Sequence, residues 1–118
     1  MFRDFLSRVM SGLPRFRSST QVFADGSRLQ FQHRYALRYL EDQRYVDVGF
    51  EAAIGKPFDR MIHAWSARDW YDARSGERLG SVSVDKRSAI ACKIERYCQE
   101  RGWTYKRIEE EPVSPGRP

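Results

Sequence analysis

SVDKRSAIACKIERYCQERG, residues 83–102, decides how the rest of the chain is read. Ile90, Ile94, Tyr97 and Cys98 stand at i, i+4, i+7 and i+8, one apolar stripe of a helix. Ser83 offers a side-chain oxygen to the orphan N–H groups of the first turn, and Asp85 complements the positive helix start. Gly102 falls where helices close through a left-handed residue.

The segments before it alternate instead. RYVDVGFEAA (44–53) puts Val46, Val48 and Phe50 on one face and Tyr45, Asp47 and Gly49 on the other, which is the period of a strand. VFADGSRLQFQ (22–32) reads as a hairpin, because Asp25-Gly26 tolerates the positive φ that both central positions of a type I′ turn require. Leu29 and Phe31 alternate with Arg28, Gln30 and Gln32. Tyr35, Leu37 and Tyr39 continue the alternation, as one long strand bent near His33-Arg34. YALRYLED (35–42) also holds good helix formers, so a helix over 34–42 is the alternative. Glu41-Asp42-Gln43 is a polar turn.

IGKP (54–57) interrupts the pattern with glycine and proline, and FDRMIHAW (58–65) reads as the next strand. ARSGE (73–77) is a loop. WTYKRIEE (103–110) alternates Trp103, Tyr105 and the aliphatic stem of Arg107 against Thr104, Lys106 and Ile108, a closing strand. Near the N-terminus Phe2, Phe5, Leu6, Val9, Met10 and Leu13 form one face of a short helix ended by Gly12 and Pro14. That helix is expected to dock on the domain, with binding to an anionic membrane surface as its alternative.

The expected fold is α+β: an antiparallel β-meander packed against one long C-terminal helix, with a short N-terminal amphipathic helix. The expected organisation is a helix over 1–13, a PRFRSS linker (14–19), a single domain over 18–108 and a disordered, proline-bearing tail over 109–118.

With 118 residues, 41% of them hydrophobic and 16 aromatic, the chain has the size and composition of one globular domain. Its net charge of +5 is uneven: residues 1–44 carry eight basic and four acidic groups, 45–80 five and six, 81–108 seven and three. The ends are basic and the middle leans acidic. A basic balance admits nucleic acid as a partner, although solvated arginines are the commoner reason for it. No stretch approaches the ~20 apolar residues of a membrane-spanning helix, and the N-terminus lacks a secretory signal's apolar core. A cytoplasmic protein is expected. Cys92 and Cys98 lie roughly 120° apart around one helix, so a disulfide between them is not expected. His33 and His63 are the only histidines and no zinc-ligand spacing exists, so neither metal nor cofactor is expected.

HAWSARDWYD (63–72) gathers a histidine, a serine and two aspartates. A strand through its first half sends His63 and Ser66 to opposite faces, and no glycine-flanked elbow exposes the serine, so catalysis is not expected. The same stretch is rich in tryptophan, tyrosine and arginine, the residue types that dominate protein interfaces. Trp65, Arg68, Asp69, Trp70 and Asp72 are the candidate partner-binding residues, with a capped core as the plainer reading of Trp70.

Residues 61–108 resemble a small immunity-protein family of bacterial polymorphic toxin systems. The resemblance lies in SARDW (66–70), SGERL (75–79), a helix with Ile90 and Ile94, and RGWTYKRI (101–108). The chain departs from that pattern at Tyr71-Asp72-Ala73, where the family has prolines, and in its N-terminal amphipathic segment. The resemblance implies a non-enzymatic inhibitor that binds and neutralises one cognate toxin. A small nucleic-acid-binding or regulatory protein is the second reading, and a hydrolase the third.

Overall fold

The computed structural model describes residues 20–33 and 35–112. The proposed N-terminal helix, the linker and residues 113–118 of the tail lie outside them. The described chain forms eight strands and one long helix: β1 (Thr20–Val22), β2 (Arg28–His33), β3 (Ala36–Glu41), β4 (Arg44–Ala52), β5 (Arg60–His63), β6 (Asp69–Asp72), β7 (Arg78–Ser81), α1 (Val84–Glu100) and β8 (Tyr105–Ile108), with a 3-10 turn at Ala64–Ser66 between β5 and β6.

The α+β class stands as expected. Two parts of the expectation change. The sheet is mixed rather than a plain antiparallel meander, because β8 pairs with β5 in parallel while every other pair is antiparallel. The helix is also not the C-terminal element. A parallel pair needs a connection that crosses the sheet, and α1 carries the chain back so that β8 can run alongside β5.

Turn chemistry distributes the hairpins differently from the sequence reading. Residues 35–42 form no helix, and the strand expected to bend at His33-Arg34 is two strands that reverse between His33 and Ala36. At Asp25-Gly26 only Gly26 has a positive φ, of 90°. The Gly26 N–H donates to the Phe23 carbonyl and the Phe23 N–H to the Ser27 carbonyl, both at 2.9 Å, which makes a three-residue loop with a glycine bulge. The two-residue loop is at Asp42-Gln43, where both residues are left-handed, with φ of 48° and 62°, between the paired Glu41 and Arg44.

The nine-residue β4 organises the sheet. One edge pairs with β3; the other is shared, Gly49–Ala52 by β5 and Arg44-Tyr45 by β6. FDRMIHAW is thus a short strand followed by a 3-10 turn, and the path resumes one branch further along. The break is stitched by Ser66. Its hydroxyl accepts from the Gly49 N–H at 2.7 Å and donates to the His63 carbonyl at 2.6 Å. A buried N–H that loses its ladder partner needs another acceptor, and Ser66 supplies it. Space opposite is tight: a Cβ at position 49 would lie 3.1 Å from the Cβ of His63, which would have to give way by a few tenths of an ångström.

α1 covers one face of the sheet. Leu29, Leu37, Tyr39, Val46, Val48, Phe50 and Ile62 face Ile90, Ile94, Tyr97 and Cys98, each nearly inaccessible to water. Ser83 caps α1 by accepting from the Lys86 N–H at 3.0 Å, and Gly102 follows its end with φ of 74°. Both ends are as expected. Arg107 lies on the covered side of β8 and pairs with Glu95 of α1 at 3.0 Å.

Candidate functional site

No helix of the described residues covers the opposite face of the sheet. Strand alternation puts Arg38 from β3, Tyr45, Asp47, Gly49 and Glu51 from β4, His63 from β5, and Asp69 and Tyr71 from β6 on that side. The row along β4 is continuous. At one end the rings of Tyr45 and Tyr71, opposite each other in register, stack with centroids 5.6 Å apart. The Arg38 guanidinium lies 3.8 Å over the Tyr45 ring and forks onto both carboxylate oxygens of Asp47, at 2.8 and 3.0 Å. That fork holds the arginine flat against the ring, and the carboxylate raises its already high pKa.

At the other end His63 sits between Glu51 and Trp65. Its Nε2 is 3.1 Å from the Glu51 carboxylate, and the Trp65 indole N–H donates to its Nδ1 at 3.2 Å. An indole N–H can only donate, so Nδ1 is the acceptor and the ring proton sits on Nε2, toward Glu51. The imidazole thereby aims the Trp65 ring.

The five residues expected to contact a partner separate. Trp65 is half-buried on the 3-10 turn, with the exposed Arg68 5.6 Å from its ring centre. Arg68 also pairs with Glu111. Asp69 binds Arg78 of β7 at 2.8 Å. Asp72 shapes the β6–β7 turn: one carboxylate oxygen accepts from the N–H groups of Arg74 and Ser75, at 2.9 and 2.7 Å, which holds its pKa below the ordinary range. Trp70 points the other way. It is only 4% exposed, packs with Tyr39 in the core, and is lidded by the Arg44 guanidinium 3.8 Å over its ring. In a strand, neighbours point to opposite faces, so Trp70 belongs to the core and Tyr71 to the open face. Tyr45 and Arg38 are not among the residues that the sequence points to, although the alternation of RYVDVGFEAA sets Tyr45 and Asp47 opposite the valines, and Asp47 belongs to the acidic-leaning middle that could face a basic partner.

A second polar cluster lies at the rim of the covered face. The Lys93 ammonium donates to Asp25, to the Ser27 hydroxyl and to the Tyr39 hydroxyl, at 2.6, 2.7 and 3.1 Å. Tyr39 in turn donates to Glu41 at 2.7 Å, and Arg44 and Lys86 donate to the same carboxylate. A serine, a lysine and a tyrosine in contact invite a catalytic reading, but the charges oppose it. Burial alone would lower the Lys93 pKa; the bonds to Asp25 and Tyr39 outweigh it and raise the pKa. Burial and the Glu41 bond raise that of Tyr39. An ammonium and a neutral phenol offer Ser27 no base, and the Asp25 carboxylate that accepts from its hydroxyl at 2.6 Å is bound by Lys93 and held far below the ordinary range, too weak a base to activate it. Burial works to raise the Glu41 pKa, yet its three donors bring it down to about 2. The cluster ties the β1–β2 loop and β3 to α1.

Both cysteines are free thiols: Cys92 is exposed, and burial pushes the Cys98 thiol up to about 11. Among the described residues no group of three or more histidine, cysteine or acidic side chains is placed to hold a metal ion. No helix of the described residues is long and apolar enough to cross a membrane.

Fold and site together define the class: a sheet covered by one helix, presenting aromatic and arginine side chains on its open face. The chain matches no protein-family model, no curated protein and no solved structure.

Proposed function

We propose that the protein is a non-enzymatic binding module whose open sheet face, from the Tyr45–Tyr71 stack to Trp65, docks another protein. The observation that carries this reading is the pairing of the two arginines that flank the tyrosine stack. Arg38 is engaged by Asp47 and Arg78 by Asp69, so the aromatics are presented on a surface with much of its charge internally balanced. A nucleic acid is held mainly by cations left free for phosphate, whereas a protein hot spot is built from tyrosine, tryptophan and arginine held in place before binding. The resemblance of residues 61–108 to immunity proteins supplies the partner class, a toxin domain neutralised by occlusion.

Co-expression with the product of an adjacent gene, followed by purification and titration calorimetry, tests the proposal. A stable complex is expected, weakened about tenfold or more by Tyr45→Ala with Tyr71→Ala. Unchanged affinity in a folded double variant removes the face from the reading. Retention on DNA or RNA that falls steeply with salt would replace the protein partner with a nucleic acid.

A further inference from the structure

Three turns meet at one end of the sheet and enclose a cleft of about 420 Å³, walled by Arg28, Leu40, Asp42, Gln43 and Arg74. The cleft adjoins the open face: Leu40 lies opposite both Arg28 and Tyr45 in the strand register, and Arg74 follows β6 two residues after Asp72. Most charged groups around it are already engaged. Glu41 is held by Tyr39, Arg44 and Lys86, and the Asp72 carboxylate by turn amides. The side chains of Arg28, Arg74 and Asp42 make no hydrogen bond or ion pair among the described residues. Arg28 therefore has no ionic partner at the cleft, Arg74 has the Asp72 carboxylate only in electrostatic range and without a bond, and Asp42 closes onto neither.

The turn that carries Asp42 and Gln43 adds a second observation. Both are left-handed residues with side chains, φ 48° and 62°, in a position where glycine or asparagine relieves the strain. The strain is retained where the two side chains wall the cleft.

We infer that this cleft is a carboxylate-binding subsite, taking an aspartate or glutamate side chain of the protein partner between Arg28 and Arg74. The inference rests on the protein-binding reading above and deepens it. With no carboxylate bonded to either guanidinium, both keep their paired N–H donors for an incoming monoanion. A phosphate monoester, carrying about −1.5 to −2 charges, would meet Asp42 undercompensated. Guanidinium forks fit a planar carboxylate with two parallel bonds, and Leu40 offers apolar surface to the methylene stem of an acidic side chain.

The probe is the blocked peptide acetyl-Gly-Glu-Leu-Glu-Gly-amide, titrated into the full chain while Arg Nε–Hε and backbone amide resonances are followed by NMR. Saturable shifts confined to Arg28, Arg74, Asp42 and Gln43 are expected, with affinity reduced about tenfold or more in Arg28→Gln/Arg74→Gln. Both arginines are exposed and unbonded, so the variant keeps its fold. The peptide with glutamine in place of glutamate should not shift these resonances. Equal shifts from the glutamine peptide, or none from the glutamate peptide, would overturn the subsite. Tighter binding of inorganic phosphate or of a short oligothymidine would overturn the carboxylate assignment in favour of a phosphate. The two proposals fail separately: a partner complex weakened by the Tyr45/Tyr71 variant and untouched by the arginine variant discards the subsite and keeps the docking face.

Discussion

The two faces of this sheet are made from alternate residues of the same strands and are held together by different physics. On the helix side, Val46, Val48 and Phe50 of β4 meet Ile90, Ile94 and Tyr97 with water excluded, and stability follows from apolar area. On the open side, Tyr45, Asp47 and Glu51 meet Tyr71, Arg38 and His63 through stacking, a guanidinium fork and an imidazole bond. Contacts of that kind in reach of water contribute little to folding but hold side chains in fixed poses. The covered face stores the fold, and the open face stores geometry that a partner can use.

Trp70 and Tyr71 are the sharpest way to break that contrast, being adjacent residues of one strand on opposite faces. Trp70→Ala removes a 4%-exposed ring from beneath Arg44 and should destabilise the domain by about 3–5 kcal/mol in chemical denaturation. Tyr71→Ala, on the open side, should lose no more than about 1.5 kcal/mol. Its effect belongs to binding. Comparable losses for the two would show that the open face contributes to the core's stability and would undo the division.

At the rim, Glu41 probes how much of the covered face depends on charge. Its carboxyl is lowered from an ordinary 4.5 to about 2, because three donors outweigh its burial. A group depressed in the folded state stabilises the fold above its unfolded pKa and loses that contribution as the pH falls through the folded one. Stability should therefore decline between about pH 5 and pH 2, and Glu41→Gln should flatten that limb. At pH 7 the variant should be weaker by on the order of 1–2 kcal/mol, less than the full shift implies because water screens the pairs with Arg44 and Lys86. Parallel urea titrations at pH 7 and pH 2.5 read the difference. An acid limb of unchanged slope would assign the acid dependence to other depressed carboxylates, Asp72 among them, and not to Glu41.

Local chemistry made much of this legible in advance. Alternation in β4, the stripe, cap and closing glycine of α1, and the final strand all depend on near neighbours, and the sequence displays them directly. The interruption of β5 does not. It depends on Ser66 reaching Gly49 across 17 positions, and on the close approach of His63 to that glycine. The parallel pairing of β8 with β5 is likewise a tertiary event. Trp70 and Tyr71 were separable by parity alone once β6 was known to be a strand, but HAWSARDWYD hides where the 3-10 turn ends and the strand begins. Arg28 and Arg74 were invisible as a pair because they come from different hairpins, 46 positions apart.

The smallest expected effect lies in the two-residue turn that joins β3 to β4, which belongs to neither face. Asp42 and Gln43 occupy left-handed backbone at φ 48° and 62°. An L-residue with a Cβ loses about 1–2 kcal/mol there relative to right-handed backbone, and glycine escapes that penalty. Gln43→Gly would complete an Asp-Gly pair, the preferred chemistry of a type I′ turn. Part of the relief is offset, since glycine has more freedom to lose on folding. The net expectation is a gain of about 0.5 kcal/mol, or roughly 2–4 °C in melting temperature for a domain of this size. Because the β3–β4 register is kept, the Tyr45–Tyr71 stack and the acidic-peptide shifts at Arg28 and Arg74 should survive the change. A variant that melts lower would mean that the Gln43 side chain contributes more at the cleft wall than its backbone strain costs, and the turn would then count as part of the open face.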